Sequence, residues 1–96
     1  MLRITTRDIS HSLTFQLEGK LSGPWVKELD ICWQNTRAGR GKAAVRVDLN
    51  AVTFVDHAGK ELLTAMYRQG VTFVYSGCLA TAIVAEVTSV AQSLRD

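Results

Sequence analysis

Residues 45–59 constrain the fold of this chain more than any other part of the sequence. From Val45 to Leu49, apolar residues alternate with charged ones, a pattern typical of a strand with one buried face. A short connection follows, and Asp56 stands where a helix can begin. Aspartate favours that position because its carboxylate accepts hydrogen bonds from first-turn amides that otherwise lack partners. The segment therefore predicts a strand, a tight connection and a capped helix.

Composition predicts one folded domain over residues 1–96, with 47% hydrophobic and 21% charged residues. A net charge of +2 is too small to favour nucleic acid. The sequence has no run of 18 apolar residues, and it does not begin with the long apolar stretch of a signal peptide. We therefore expect a cytoplasmic protein without membrane insertion. Cys32 and Cys78 lack C-x-x-C spacing and are predicted to be free, packed thiols, with a disulfide as the alternative.

The predicted elements alternate in the order ββαβαβα, which indicates an α/β fold. They are strands at 2–6 and 12–18, a break at 19–23, a helix from Pro24 that ends at Gly39 and Gly41, a strand from Val45, a helix from Asp56 to Gly70, a strand at 71–75 and a helix from Leu79. A hairpin pairs the first two strands antiparallel. Strand–helix–strand units then add parallel neighbours, because such crossovers are right-handed. The prediction is a mixed four-stranded sheet with helices packed against it.

Residues 48–59 have the pattern D-L-x-x-V-T-F-V-D-x-x-G, which resembles the central motif of the STAS domain. This family contains bacterial anti-sigma factor antagonists and the cytoplasmic domains of sulfate-type anion transporters. Residues 15–21 look like the family's L-x-G-x-L opening, and residues 71–74 after Gly70 match its fourth strand. Because the three blocks follow the family's order, the resemblance covers nearly the whole chain and implies a single STAS-like domain.

The resemblance implies a non-enzymatic protein–protein interaction module. In such antagonists the motif docks onto a serine kinase that doubles as an anti-sigma factor, and phosphorylation of the serine before the motif glycine blocks docking. This chain has Ala58 there and His57 beside it, and neither has a hydroxyl. Phosphorylation at the usual position is therefore not expected, and a move to Thr53 or Ser76 is the alternative. Two other functions stay open: an accessory subunit of a lipid-transporting ABC system, and a small anion or nucleotide sensor.

The predicted partner-binding residues lie in the motif and on the helix that follows it. They are Thr53, Asp56, His57, Ala58, Gly59, Lys60, Leu63 and Tyr67. The core arc of this helix is predicted to contain Ala58, Leu62, Ala65 and Met66, which leaves Leu63 at its edge and Tyr67 pointing away. Asp56 is either a helix cap or a functional anion, and His57 is either a plain surface side chain or a partner contact.

The sequence offers little for catalysis. It has no G-x-S-x-G elbow, no glycine-rich phosphate loop after a strand and no H-E-x-x-H metal spacing. Residues 37–42 form a basic stretch that precedes a strand instead of a helix, so they are predicted to be a solvated connection. We expect no catalytic residue, metal or cofactor, whereas a homodimer stays open. Trp25 and Trp33 are predicted core anchors, and Ile31 lies on the opposite side of their helix.

Overall fold

The computed structural model describes residues 2–9, 12–40 and 44–93, without the side chains of 9, 37–40 and 90–93. Its elements are β1 (Leu2–Ile9), β2 (Ser12–Leu21), α1 (Pro24–Arg40), β3 (Ala44–Val55), α2 (His57–Arg68), β4 (Thr72–Val74) and α3 (Cys78–Ser93). The predicted ββαβαβα order is confirmed. None of the described helices is long and apolar enough to cross a membrane.

The four strands form one mixed sheet in the order β1-β2-β3-β4. β1 pairs antiparallel with β2, whereas β2–β3 and β3–β4 are parallel. Both crossovers step in the same direction across the sheet, so their right-handedness places α1 and α2 on the same face. α3 packs there too, since Val84 and Val87 belong to the same core cluster as Phe15 and Leu49. Within the described residues, no helix lies on the opposite face of the sheet.

The core lies between the sheet and the three helices. In β2 every second residue from Leu13 to Leu17 is buried, as its alternation predicts. Trp33 is buried as expected, and Trp25 is half-buried against the core. Ile31 is exposed on the other side of α1, which confirms its predicted position.

The predicted ends of the first three strands are wrong. β1 continues to Ile9 instead of ending at residue 6. β2 does not break at Gly19 but continues to Leu21, and β3 reaches Val55, so Asp56 alone connects β3 to α2. The register shifts after Gln16 and again after Gly19. These bulges absorb the extra residues of β3 and keep the two strands paired beyond the glycine.

α1 ends at Arg40, between Gly39 and Gly41, as predicted. It passes through Gly39 because a single glycine costs a helix only about 1 kcal/mol. The predicted basic connection therefore begins inside a helix, and its residues 41 and 42 lie outside the described part of the chain.

α2 ends where the sequence predicts. Gly70 has φ +97°, a conformation that glycine adopts without a side-chain clash. Its amide donates to the Tyr67 carbonyl at 3.0 Å, and the Val71 amide donates to the Met66 carbonyl at 3.1 Å. These two bonds form a Schellman motif, which satisfies carbonyls at the end of the helix. Both cysteines are free thiols, as predicted. The predicted packing holds in part for Cys32, which is half-buried, and is wrong for Cys78, which is exposed.

Candidate functional site

Asp56 links the start of α2 to the turn between β2 and α1. Its Oδ1 accepts a hydrogen bond from the Gly59 amide at 2.7 Å, and its Oδ2 accepts one from the Gly23 amide at 3.0 Å. Its own amide donates to the Leu21 carbonyl at 3.1 Å. The residue therefore caps the helix and holds the β2–α1 turn against it.

These contacts show that Asp56 is a helix cap, the structural one of its two predicted roles. The Gly23 amide and then the Gly59 amide hold the pKa of the Asp56 carboxyl below its ordinary value of 3.8, because both donate to the charged form. Each carboxylate oxygen already accepts a backbone hydrogen bond. The geometry supports a structural cap, with the half-buried carboxylate shared between two backbone amides.

Gly59 is buried against the end of β2. A Cβ at this position would lie 2.8 Å from the Leu21 carbonyl oxygen and 2.8 Å from Val55 Cγ1, closer than real side chains approach. The motif glycine therefore lets α2 begin directly on the sheet. It has no side chain to offer a partner, so its contribution to the site is this close packing.

His57, Ala58 and Lys60 reach the surface in the first turn of α2. The His57 side chain is 88% exposed, and its Nε2 lies 2.6 Å from Glu61 Oε1. Ala58 is exposed. Lys60 Nζ lies 3.1 Å from both carboxylate oxygens of Glu86 on α3. The structure thus brings these three predicted contact residues together at the surface.

The predicted exposure of Leu63 is wrong. Leu63 is fully buried, and the buried stripe of α2 contains Gly59, Leu63, Thr64 and Met66. Ala58 and Ala65, which the sequence placed in the core arc, are exposed. Alanine is found in both buried and exposed positions, so it does not identify the buried side of a helix. Because two alanines were assigned to the core, the predicted buried arc of α2 was misplaced by about one residue, a rotation of roughly 100° about the helix axis. Leu63 is a core residue and is excluded from the contact surface.

Tyr67 lies further along α2 and is partly exposed, at 36%. Its ring stacks on Phe73 of β4, with centroids 5.9 Å apart and planes at 15°. Thr53 is exposed near the end of β3, and its hydroxyl donates to the Gly19 carbonyl at 3.2 Å. Both side chains are accessible, but Thr53 lies on a strand instead of in the predicted connection.

A groove of ≈ 380 Å³ runs between α2 and α3. The buried Thr64 contributes to its lining, and the ion pair between Lys60 and Glu86 joins the two helices across it. The other lining residues are His57, Glu61, Ala65, Arg68 and Val87. Sequence reasoning missed Glu86, since nothing in the local pattern of α3 indicates which α2 side chain it meets.

A second missed contact fixes the β4–α3 connection. Asn50 Oδ1 accepts hydrogen bonds from the Ser76 amide at 2.6 Å and from the Ser76 hydroxyl at 3.1 Å. A side-chain amide at a strand bulge is a weak signal for such a contact. Within residues 2–9, 12–40 and 44–93, no group of three or more His, Cys, Asp or Glu side chains could hold a metal.

Several solved structures share this fold. An anti-sigma factor antagonist from Mycobacterium paratuberculosis superposes with a TM-score of 0.79 at 20% identity, covering 99% of this chain and 84% of that one. The anti-sigma factor antagonist SpoIIAA in its unphosphorylated form gives 0.70 at 9% identity, covering 98% and 100%. An uncharacterized DUF3478 protein with a SpoIIAA-like fold, from Shewanella loihica, gives 0.61 at 14% identity, covering 92% and 76%.

No family model matches the chain, and no curated protein matches it either. Identities of 9–20% to the solved structures establish the architecture and leave the biological role to be argued from the site. The predicted fold class is confirmed: the chain adopts the fold of the anti-sigma factor antagonists.

Proposed function

We propose that this chain is a non-enzymatic, cytoplasmic protein-binding module of the anti-sigma factor antagonist type. The observation that supports it best is the shared fold, which extends over 99% and 98% of the chain in two structures described as anti-sigma factor antagonists. Its partner would be a kinase-like anti-sigma factor. The exposed first turn of α2, at the position of the D-x-x-G motif, supports the same role.

The proposed contact surface consists of His57, Ala58, Lys60 and Tyr67, with Thr53 at its border; we call it the α2 surface. Its members on α2 are exposed or partly exposed. Below it, Asp56 and Gly59 fix the start of the helix against β2. A surface held this rigidly binds a partner without a large loss of conformational freedom.

The same surface lacks the usual phosphate acceptor. Ala58 is exposed where a kinase would need a hydroxyl, and His57 beside it has none. The two alternative hydroxyls already donate hydrogen bonds, from Thr53 to the Gly19 carbonyl and from Ser76 to Asn50. We propose that binding is not switched by phosphorylation here. Intact-mass measurement after incubation with a cognate kinase tests this, and one added phosphate would contradict it.

The deciding experiment is affinity purification from the native host with wild-type protein and an Ala58→Glu variant. Glutamate adds a charge and bulk at position 58, and it suits the first turn of a helix, so the fold should persist. Ala85→Glu, an equal change at an exposed position of α3, is the matched control. We expect a kinase-like anti-sigma factor to bind wild type and Ala85→Glu and to be lost with Ala58→Glu. Equal recovery with all three would show that the α2 surface is not the contact.

The purification also separates the two other candidate functions. Recovery of an ABC-type ATPase would favour a STAS accessory subunit of a lipid-transporting system. The groove between α2 and α3 is the place where a small anion or nucleotide could bind, because Lys60 and Arg68 lie along it. Glu61 and Glu86 line it too, and Lys60 is paired with Glu86, which weakens this candidate. A ligand at about 100 times its Kd would add about 2.7 kcal/mol of apparent stability. A flat thermal-shift screen over anions and nucleotides would count against that function.

A further inference from the structure

The open face of the sheet carries a row of polar and basic side chains that the proposed function does not use. Arg7 on β1 pairs with Thr14 on β2, Thr14 pairs with Arg46 on β3, and Arg46 pairs with Thr72 on β4. We call these four residues the arginine row. Each alternates in sequence with residues that face the helices, such as Leu13, Val47 and Phe73. The row therefore crosses all four strands on the side without helices.

Neither guanidinium group of the row has an acidic residue in the facing position of the neighbouring strand. Arg7, Arg46 and Thr72 are exposed, and the row contains no acidic residue. Within the part of the chain that the structure describes, neither Arg7 nor Arg46 makes an ion pair or a side-chain hydrogen bond. Asp48 lies two residues after Arg46 on the same face of β3. Its Oδ1 accepts the Asn50 amide at 2.9 Å, and it forms no ion pair with Arg46.

Arg3 provides a contrast on the same face. It lies two residues from Thr5 and four from Arg7 along β1, and it pairs directly with Glu18 of β2. Opposite charges in facing positions of a sheet compensate each other. The arginine row has no such neighbour, so its positive charge is available to another molecule.

We propose that the arginine row docks an acidic segment of a protein partner, with each guanidinium binding one carboxylate. Arginine is suited to this, because its planar fork of donors matches a carboxylate. Arg7 and Arg46 are two inter-strand steps apart, about 10 Å. Acidic residues three apart in a polyproline II segment lie on the same side of the segment and are separated by about 9 Å. The Thr14 hydroxyl lies between them as a further donor.

Other polyanions fit the arginine row less well. Single-stranded nucleic acid is held by aromatic stacking, and membrane-surface binding needs apolar side chains that insert. The exposed large hydrophobic residues lie outside the row, at Ile31, Phe54, Tyr67, Tyr75 and Leu79. Two arginines also fall short of the six to ten phosphate contacts, approximately, of a DNA-binding protein. Among these candidate ligands, a short acidic protein segment therefore matches the charge of the arginine row best.

The test is a ¹⁵N NMR titration of the full chain with a hexaglutamate peptide at low salt. We expect saturable shifts centred on residues 7, 14, 46 and 72. The double variant Arg7→Gln/Arg46→Gln should bind roughly 2- to 30-fold more weakly, since two exposed ion pairs together contribute about 0.4–2 kcal/mol. Arg3→Gln removes one charge from the same face and should leave the affinity unchanged.

Three results would overturn the proposal: no saturable shift, an equal loss with Arg3→Gln, or a preference for another anion. Inorganic phosphate and phosphatidylglycerol vesicles are therefore titrated in parallel, and tighter binding of either would assign the row to a small anion or to a lipid surface. The outcome is independent of the proposed function. Ala58→Glu changes the α2 surface on the opposite side of the sheet and should not affect hexaglutamate binding.

Discussion

Replacement of Gly59 by alanine tests whether α2 must begin in direct contact with the end of β2. The new methyl group would lie 2.8 Å from the Leu21 carbonyl oxygen and 2.8 Å from Val55 Cγ1. One of these atoms is backbone, so the strand end or the helix start has to move. The Leu21 carbonyl also accepts the Asp56 amide at 3.1 Å, and a shift there weakens that hydrogen bond.

The expected change in the free energy of unfolding combines two destabilising contributions and one stabilising contribution. Overpacking a tight site costs about 1–3 kcal/mol, and losing the hydrogen bond costs about 0.5–1.5 kcal/mol. Alanine is favoured over glycine inside a helix by about 1 kcal/mol. The balance is a destabilisation of about 2 kcal/mol. For a domain of this size it corresponds to a decrease in Tm of about 8–16 °C.

Thermal and urea unfolding measure this effect, with Gly70→Ala as the control. Gly70 has a positive φ of +97° and open space around it, so its variant reports backbone strain without a steric clash. A double-mutant cycle with Val55→Ala isolates the contact, because the valine change should cost less once Gly59 is alanine. A Tm of Gly59→Ala equal to or above that of wild type would refute the close-packing argument.

Three further predictions concern the same region. Leu63→Ala should lower the free energy of unfolding by about 2–5 kcal/mol in urea titration, and a cost near zero would contradict its burial. A double-mutant cycle on Lys60 and Glu86 should give a coupling free energy of no more than about 1 kcal/mol, since both side chains are partly exposed. A larger coupling would indicate an ordered ion pair that holds α2 and α3 together. Asp56 has a lowered pKa in the fold, so its stabilisation is complete above the unfolded pKa and is lost as pH falls through the folded one. Compared with Asp56→Asn, wild type should therefore lose stability more steeply below pH 3.8, and parallel acid-unfolding curves would argue against this role.

The element order was predictable because each helix and strand carries its own local signal. Alternation defines β2 and the start of β3, whereas Asp56 and Gly70 mark the two ends of α2. Strand bulges have no comparable signal. Gly19 is a typical strand breaker, and only the pairing with β3 shows that β2 passes through it.

The candidate site was less predictable, since exposure depends on how a helix is rotated against the sheet. Ala58 and Ala65 are compatible with either face of α2, so the pattern does not exclude an arc that leaves Leu63 outside. The contact of Lys60 with Glu86 and that of Asp56 with Gly23 join residues distant in sequence. Sequence periodicity within one element contains no information about such pairs.

The D-x-x-G motif separates into two kinds of position. Asp56 and Gly59 are directed inward: one carboxylate holds two backbone amides, and the absent Cβ lets the helix lie on Leu21. His57 and Ala58 are directed outward and make no contact that the fold requires beyond the exposed His57–Glu61 pair. The fold therefore constrains the identity of the first and last residues of the motif, whereas the middle two can vary with the requirements of a binding partner. An alanine at position 58 therefore leaves this scaffold intact.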